Sequence, residues 1–91
     1  MNAREIQIRR LRLRSWRRGI REMDLILGAY ADDRLAELSD EDRDTYEAML
    51  DENDQELYTW VSGRIAPPPR FESLVTRITD HMKSRGGASR S

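Results

Sequence analysis

The 91-residue chain contains no cysteine, only one histidine, three prolines confined to a single run, and nowhere about 18 consecutive apolar residues. Without cysteine there is no disulfide framework, no thiol nucleophile and no cysteine-based zinc or iron–sulfur site. A reducing compartment fits this composition without being required by it. The lone His81 has no second ligand at metal spacing, and it reads as an exposed residue near a helix end, where the dipole favours it. A Gly-rich phosphate loop, an H-E-x-x-H pair and a Ser/His/Asp set are all missing. The acids of "DENDQE" share only composition with a calcium loop, because the Gly and the terminal Glu are out of place, so they read as helix capping. No catalytic residue, metal ligand or cofactor-binding residue is therefore expected.

The Arg-rich N-terminus lacks the apolar h-region of a secretory signal, and a mitochondrial targeting segment would be poorer in acids and richer in Ser than one holding Glu5 and only Ser15. The expectation is a cytoplasmic protein with no membrane insertion.

What is present is charge. Charged residues make up 36% of the chain against 37% hydrophobic, and a domain this short buries only about 60–65% of its unfolded surface. Little apolar surface remains for an internal ligand cavity, which points to function at the surface. The net charge of −1 conceals an asymmetry: residues 1–21 carry +7, residues 22–56 carry −12 and the remainder +4. Such blocks either pair within the fold or face partners. Phosphate contacts by the N-terminal arginines are the nucleic-acid alternative, which the near-neutral total and the absence of a reading motif disfavour.

The periodicity predicts an all-α, compact single domain of five short helices, spanning 1–84 and followed by a flexible tail over 85–91. Residues 4–16 hold Ile6, Ile8, Leu11, Leu13 and Trp16 between arginines. "LRLR" alternates like a strand, but Arg and Leu are good helix formers and no turn residue interrupts the run. Residues 20–35 place Ile20, Met23, Leu27 and Tyr30 on one helical face, with Gly28 a weak point. Ser39 reads as the N-cap of a third helix with Asp40, Glu41 and Asp42 in its first turn and Tyr46, Met49 and Leu50 inward. A fourth helix begins at Asn53 or Asp54, buries Leu57, Trp60 and Val61, and stops at Gly63. "APPPR" reads as a loop. A fifth helix from about Phe71 carries Phe71, Leu74, Val75, Ile78 and Met82 on one face. Trp16, Tyr46, Trp60 and Phe71 are the expected large core residues.

The segment "SWRRGIREMD" is a helix-to-helix corner, with Gly19 ending one helix and Glu22 in the first turn of the next. Local capping accounts for Gly19 and Glu22 but leaves Arg18 unexplained, and short charged loops on rigid helices commonly bind partners.

"RRGIREMD" resembles the R-G-x-x-E signature of the FAD assembly factors, small proteins that promote covalent attachment of flavin to the flavoprotein subunit of succinate dehydrogenase. "LSDEDRDTYEAMLDENDQELYTWVSG" resembles the second ordered block of that family, and the likeness covers about residues 4–80. The resemblance implies a five-helix, monomeric domain whose Arg18, Gly19 and Glu22 engage the flavoprotein subunit, flanked by Arg17 and Asp24. In that picture Arg18 donates to a partner carboxylate or carbonyl, Gly19 allows close backbone approach, and Glu22 accepts from a partner cation or amide. It further implies that the FAD is attached to a histidine of the client and not stably bound here, and that the factor is not itself an enzyme. Fumarate reductase is a second candidate client, and a eukaryotic member belongs in the mitochondrial matrix. An antitoxin role, which some members have been given, is the rival. Trp16 just before the arginines departs from some members.

Overall fold

Asn2, Ser39 and Asn53 each turn a side-chain oxygen onto the backbone N–H three residues ahead, at 2.8, 3.1 and 2.8 Å, and each starts a helix. The computed structural model describes the backbone of residues 1–90 and the side chains of residues 1–85. The described residues form α1 (Ala3–Trp16), α2 (Arg21–Arg34), a 3₁₀ turn (Leu35–Glu37), α3 (Asp40–Leu50), α4 (Asp54–Val61) and α5 (Pro69–Arg90). The all-α, five-helix architecture is as the periodicity predicts, and the 3₁₀ turn is an addition. Gly63, at φ 82°, ends α4 in the left-handed region. The proline run is not wholly loop: Pro69 opens α5, where its missing N–H costs nothing and its fixed φ suits the first turn. The backbone carries α5 to Arg90, and the tail expected over 85–91 otherwise lies outside the described residues.

The radius of gyration, 12.7 Å, is near the about 12 Å of one packed domain of this length. Leu11, Met23, Leu27, Tyr30, Tyr46, Leu57, Trp60, Phe71 and Ile78 form the centre of the core. The Tyr46 hydroxyl lies 2.7 Å from Ser15 Oγ, which donates to the Leu11 carbonyl. Burial pushes the Tyr46 phenol up, against the opposing effect of the Ser15 hydrogen bond, so it stays neutral in the core.

Trp16 is not a core residue. It is 40% exposed, with its indole lying flat against Gly28 of α2 and its Nε1 donating to Asp32 at 3.2 Å. A Cβ at position 28 would overlap the indole carbons, so Gly28 is the seat of Trp16 rather than a defect of α2. Ile6 and Leu13 are also exposed; α1 buries only Ile8, Leu11 and Ser15.

His81 departs from expectation in the opposite direction. Its ring is buried edge-on to Tyr30, centroids 5.5 Å apart, and donates from Nε2 to Asp33 at 2.7 Å. That bond, seconded by Arg85, holds the Asp33 carboxyl below its ordinary value. A hydrogen bond from Gln7, with help from Arg10, does the same for Glu47. A depressed folded-state pKa stabilises above the unfolded value and is lost as pH falls through the folded one. Thermal stability is therefore expected to drop on acidification below about pH 4, and Asp33→Asn and Glu47→Gln to flatten that acid limb. Melting curves from about pH 6 down to about pH 2 test it.

Arg43 is 2% exposed, a buried cation that the periodicity does not reveal. It donates from Nη1 to the Leu38 carbonyl at 2.9 Å, from Nε to Gln7 Oε1 at 2.9 Å, and from Nη2 to the Asp40 carboxylate. Gln7 in turn donates to Asp44 and Glu47, tying α1 to α3. Arg43→Ala would leave the Leu38 carbonyl unpaired beside a void and is expected to cost about 2–4 kcal/mol. Arg43→Met, which keeps the volume, should cost less. Urea midpoints at constant m-value measure both.

Candidate functional site

The basic block at the N-terminus meets the acidic block where α1 and the corner after it face α3 and the head of α4. Arg10, Arg14 and Arg18, spaced by four, reach Glu47, Asp51 and Asp54 at 3.0, 2.8 and 2.8 Å. The first two pairs are largely solvated, and exposed pairs of this kind contribute about 0–1 kcal/mol each. The third is different, because the side chains of Arg18 and Asp54 are only 10% and 11% exposed.

Arg18 is fully engaged within the chain. Its Nε donates to Asp54, its Nη1 to the Leu50 carbonyl at 2.8 Å and its Nη2 to the Glu52 carbonyl at 2.9 Å. Leu50 ends α3 and Glu52 lies in the turn that follows, so one guanidinium fastens the α1–α2 corner to the α3–α4 junction and satisfies an orphan C=O of the helix end. The backbone N–H of Arg18 donates to the Asp24 carboxylate, which closes the corner from the α2 side. Asp24 is accordingly half-buried.

Between these anchors the chain turns at Gly19, whose φ of 103° lies in the region that L side chains rarely adopt. A Cβ there would meet Asp54 Oδ2 at an ordinary 3.7 Å, so the glycine is demanded by backbone conformation and not by lack of room. Ile20 precedes α2 without a side-chain cap, and Glu22 and Asp24 stand in the first turn of α2. Of the five residues marked in the sequence, Arg17, Gly19 and Glu22 face solvent, whereas Arg18 and Asp24 are directed into the fold. The sequence reading missed Asp54, although its place at the head of α4, opposite the Arg-rich helix, was a signal for pairing.

Beside the corner, Ile20, Glu22, Gln55, Tyr58, Thr59 and Arg64 line a cleft of about 460 Å³. A more polar cleft at the far end of α2 includes Arg34, Arg77 and His81, but each of these already has a carboxylate partner in Glu37, Asp42 or Asp33. Among the described residues no group of three or more His, Cys, Asp or Glu could hold a metal, and no helix is long and apolar enough to cross a membrane.

Fold and geometry together define a small all-α domain with a surface corner fastened by a nearly buried charge pair. The sequence profile of the Sdh5 family, described as flavinator of succinate dehydrogenase, matches residues 9–82, and the chain belongs to this family of succinate dehydrogenase assembly factors. It is 32% identical over 79 residues to the mitochondrial succinate dehydrogenase assembly factor 2 of Cryptococcus neoformans, covering 85% of this chain and 45% of that protein. The namesake from Aspergillus flavus is 34% identical over 79 residues, covering 87% and 26%. That from Dictyostelium discoideum is 27% identical over 73 residues, covering 80% and 52%. The chain thus spans about half or less of the length of these relatives.

Proposed function

We propose that this chain binds the flavoprotein subunit of succinate dehydrogenase and promotes covalent attachment of FAD to a histidine of that subunit, without supplying a catalytic group of its own. The observation that carries the reading is the corner: within the segment matched to the flavinator family, a buried Arg18–Asp54 pair fixes Gly19 and Glu22 at the surface. FAD is here the cargo joined to the client, not a resident cofactor.

A protein of this kind acts by differential affinity. Joining a flavin methyl carbon to an imidazole nitrogen exchanges a methyl C–H and an imidazole N–H for a C–N bond and leaves the electron pair on the isoalloxazine, which ends reduced, so the step requires close approach and stabilisation of the negative charge that develops on that ring. A rigid surface that binds only the client conformation with that geometry raises its population. Moving an equilibrium from 1:99 to 99:1 takes about 5.5 kcal/mol of preference, within reach of a few desolvated polar contacts. A latched corner suits this task because no ordering cost is left for the moment of binding. In a eukaryote the work belongs in the mitochondrial matrix, in keeping with the mitochondrial names of the relatives, and in a bacterium in the cytoplasm. The nucleic-acid and antitoxin readings draw less support, since Arg10, Arg14 and Arg18 are committed to acids of the same chain.

The test is to express the flavoprotein subunit with and without this protein and read covalent flavin by in-gel fluorescence. Flavinylation that depends on the protein supports the proposal, and equal flavinylation in both cultures overturns it. Repeating the comparison with the fumarate reductase flavoprotein decides whether that enzyme is a second client.

A further inference from the structure

The corner is one wall of the cleft described above. The opposite wall is α4, whose Gln55, Tyr58 and Thr59 fall at positions i, i+3 and i+4 and so share one face. Because Arg18 ties the corner to Asp54, the first residue of α4, the two walls are fixed relative to one another by the same buried pair. Tyr58 is 36% exposed, and among the described residues its hydroxyl makes no hydrogen bond and Arg64 makes no ion pair. The lining thus offers a carboxylate in Glu22, a guanidinium in Arg64, and apolar surface on Ile20 and the Tyr58 ring.

We infer that this cleft is part of the client-binding surface, with Tyr58 as its apolar anchor and Arg64 as its second charged contact, and that its occupant is a polypeptide loop of the flavoprotein subunit. The inference rests on the reading of the corner given under Proposed function and extends it onto α4. The complement of the lining is an apolar side chain together with a cation for Glu22 and a carboxylate or carbonyl for Arg64, a combination that a peptide loop provides. Nucleic acid would meet Glu22 as a like charge. Tyr and Arg are the residue types that most often dominate interfaces when seated in a preformed concavity, and this concavity continues directly from the corner.

The experiment compares Tyr58→Ala, Arg64→Ala and Glu22→Ala with the unmodified chain, measuring affinity for purified flavoprotein subunit without covalent flavin, together with melting temperature and helicity. Because all three side chains reach solvent, melting temperatures should stay close to that of the parent. Tyr58→Ala and Arg64→Ala should each weaken binding by about tenfold or more, alongside Glu22→Ala, with Tyr58→Phe retaining most of the affinity. If Glu22→Ala weakens binding while Tyr58→Ala and Arg64→Ala bind as the parent does, the assignment of the cleft is overturned and the corner reading stands. If all three bind normally, the corner reading falls and takes the cleft with it. Saturable binding of free FAD that Tyr58→Ala abolishes would overturn the polypeptide as occupant.

Discussion

Gly19→Arg is expected to leave a folded, helical protein that no longer supports flavinylation of the client. Residue 19 sits at φ 103°, so any L side chain there pays about 1–2 kcal/mol of backbone strain, which for a domain of this size lowers the melting temperature by roughly 4–15 °C. The arginine side chain would then project from an exposed turn between Arg17 and Glu22, into the space that the proposed contact leaves for a partner backbone. Gly19→Ala separates the two effects: it pays the same strain with little added bulk, and it should retain a substantial part of the activity. In-gel flavin fluorescence, with far-ultraviolet circular dichroism on the purified variants, reads both. Normal flavinylation with Gly19→Arg would show that the corner does not meet the client.

Arg18→Ala is a different kind of experiment from the one its place in the signature invites. Its guanidinium holds the α3–α4 turn through Asp54, Leu50 and Glu52, and removal would leave the nearly buried Asp54 carboxylate unpaired. A loss of about 2–3 kcal/mol is expected, so any loss of function in that variant mixes folding with binding. Glu22→Ala, on an exposed first-turn acid, should cost only about 0.3–1 kcal/mol and is the cleaner test.

Trp60→Ala carries the largest expected effect on stability. The indole is buried in the core against Phe71, ring centroids 5.8 Å apart, and sits with Leu57 and Val61 on the inward face of α4. Truncation should cost about 3–5 kcal/mol, a large part of the about 5–15 kcal/mol that holds a domain of this kind together. Urea unfolding would show the midpoint moving sharply down, with client binding at low temperature surviving wherever the protein remains folded. An unchanged midpoint with client binding lost would place Trp60 at the interface instead.

The helices were legible because the signals that start and stop them act over three or four residues. Ser39 and Asn53 cap where their side-chain chemistry predicts, Gly63 ends α4, and the apolar steps of α2, α3 and α5 point inward, save that in α5 they stop at Ile78 and Met82 is only half-buried, outside the core. The corner was legible for the same reason, as a glycine followed by first-turn acids, although α1 stops at Trp16 with Arg17 as its C-cap, before Gly19 is reached. The errors fell on amphipathic side chains whose fate depends on a distant neighbour. Trp16 looked like core by size and hydrophobicity, but Gly28, twelve residues on, gives it a surface seat, with Asp32 taking its N–H. His81 looked exposed by position, but Asp33, 48 residues earlier, draws it into the fold.

The sequence by itself therefore determined the helical class, the caps that open α3 and α4 and the glycine that ends α4, the opposition of a basic and an acidic block, and the location of the corner. Tertiary structure alone decided which members of the corner face outward. Arg17 and Arg18 are adjacent and chemically identical, yet one is exposed and the other is consumed by carbonyls 32 and 34 residues away. The physical reason is one of range. Capping and periodicity are written in the covalent neighbourhood of each residue, whereas an arginine is buried only where packing brings a carboxylate and unpaired carbonyls to it together, and that convergence exists only once α3 and α4 have closed against the corner.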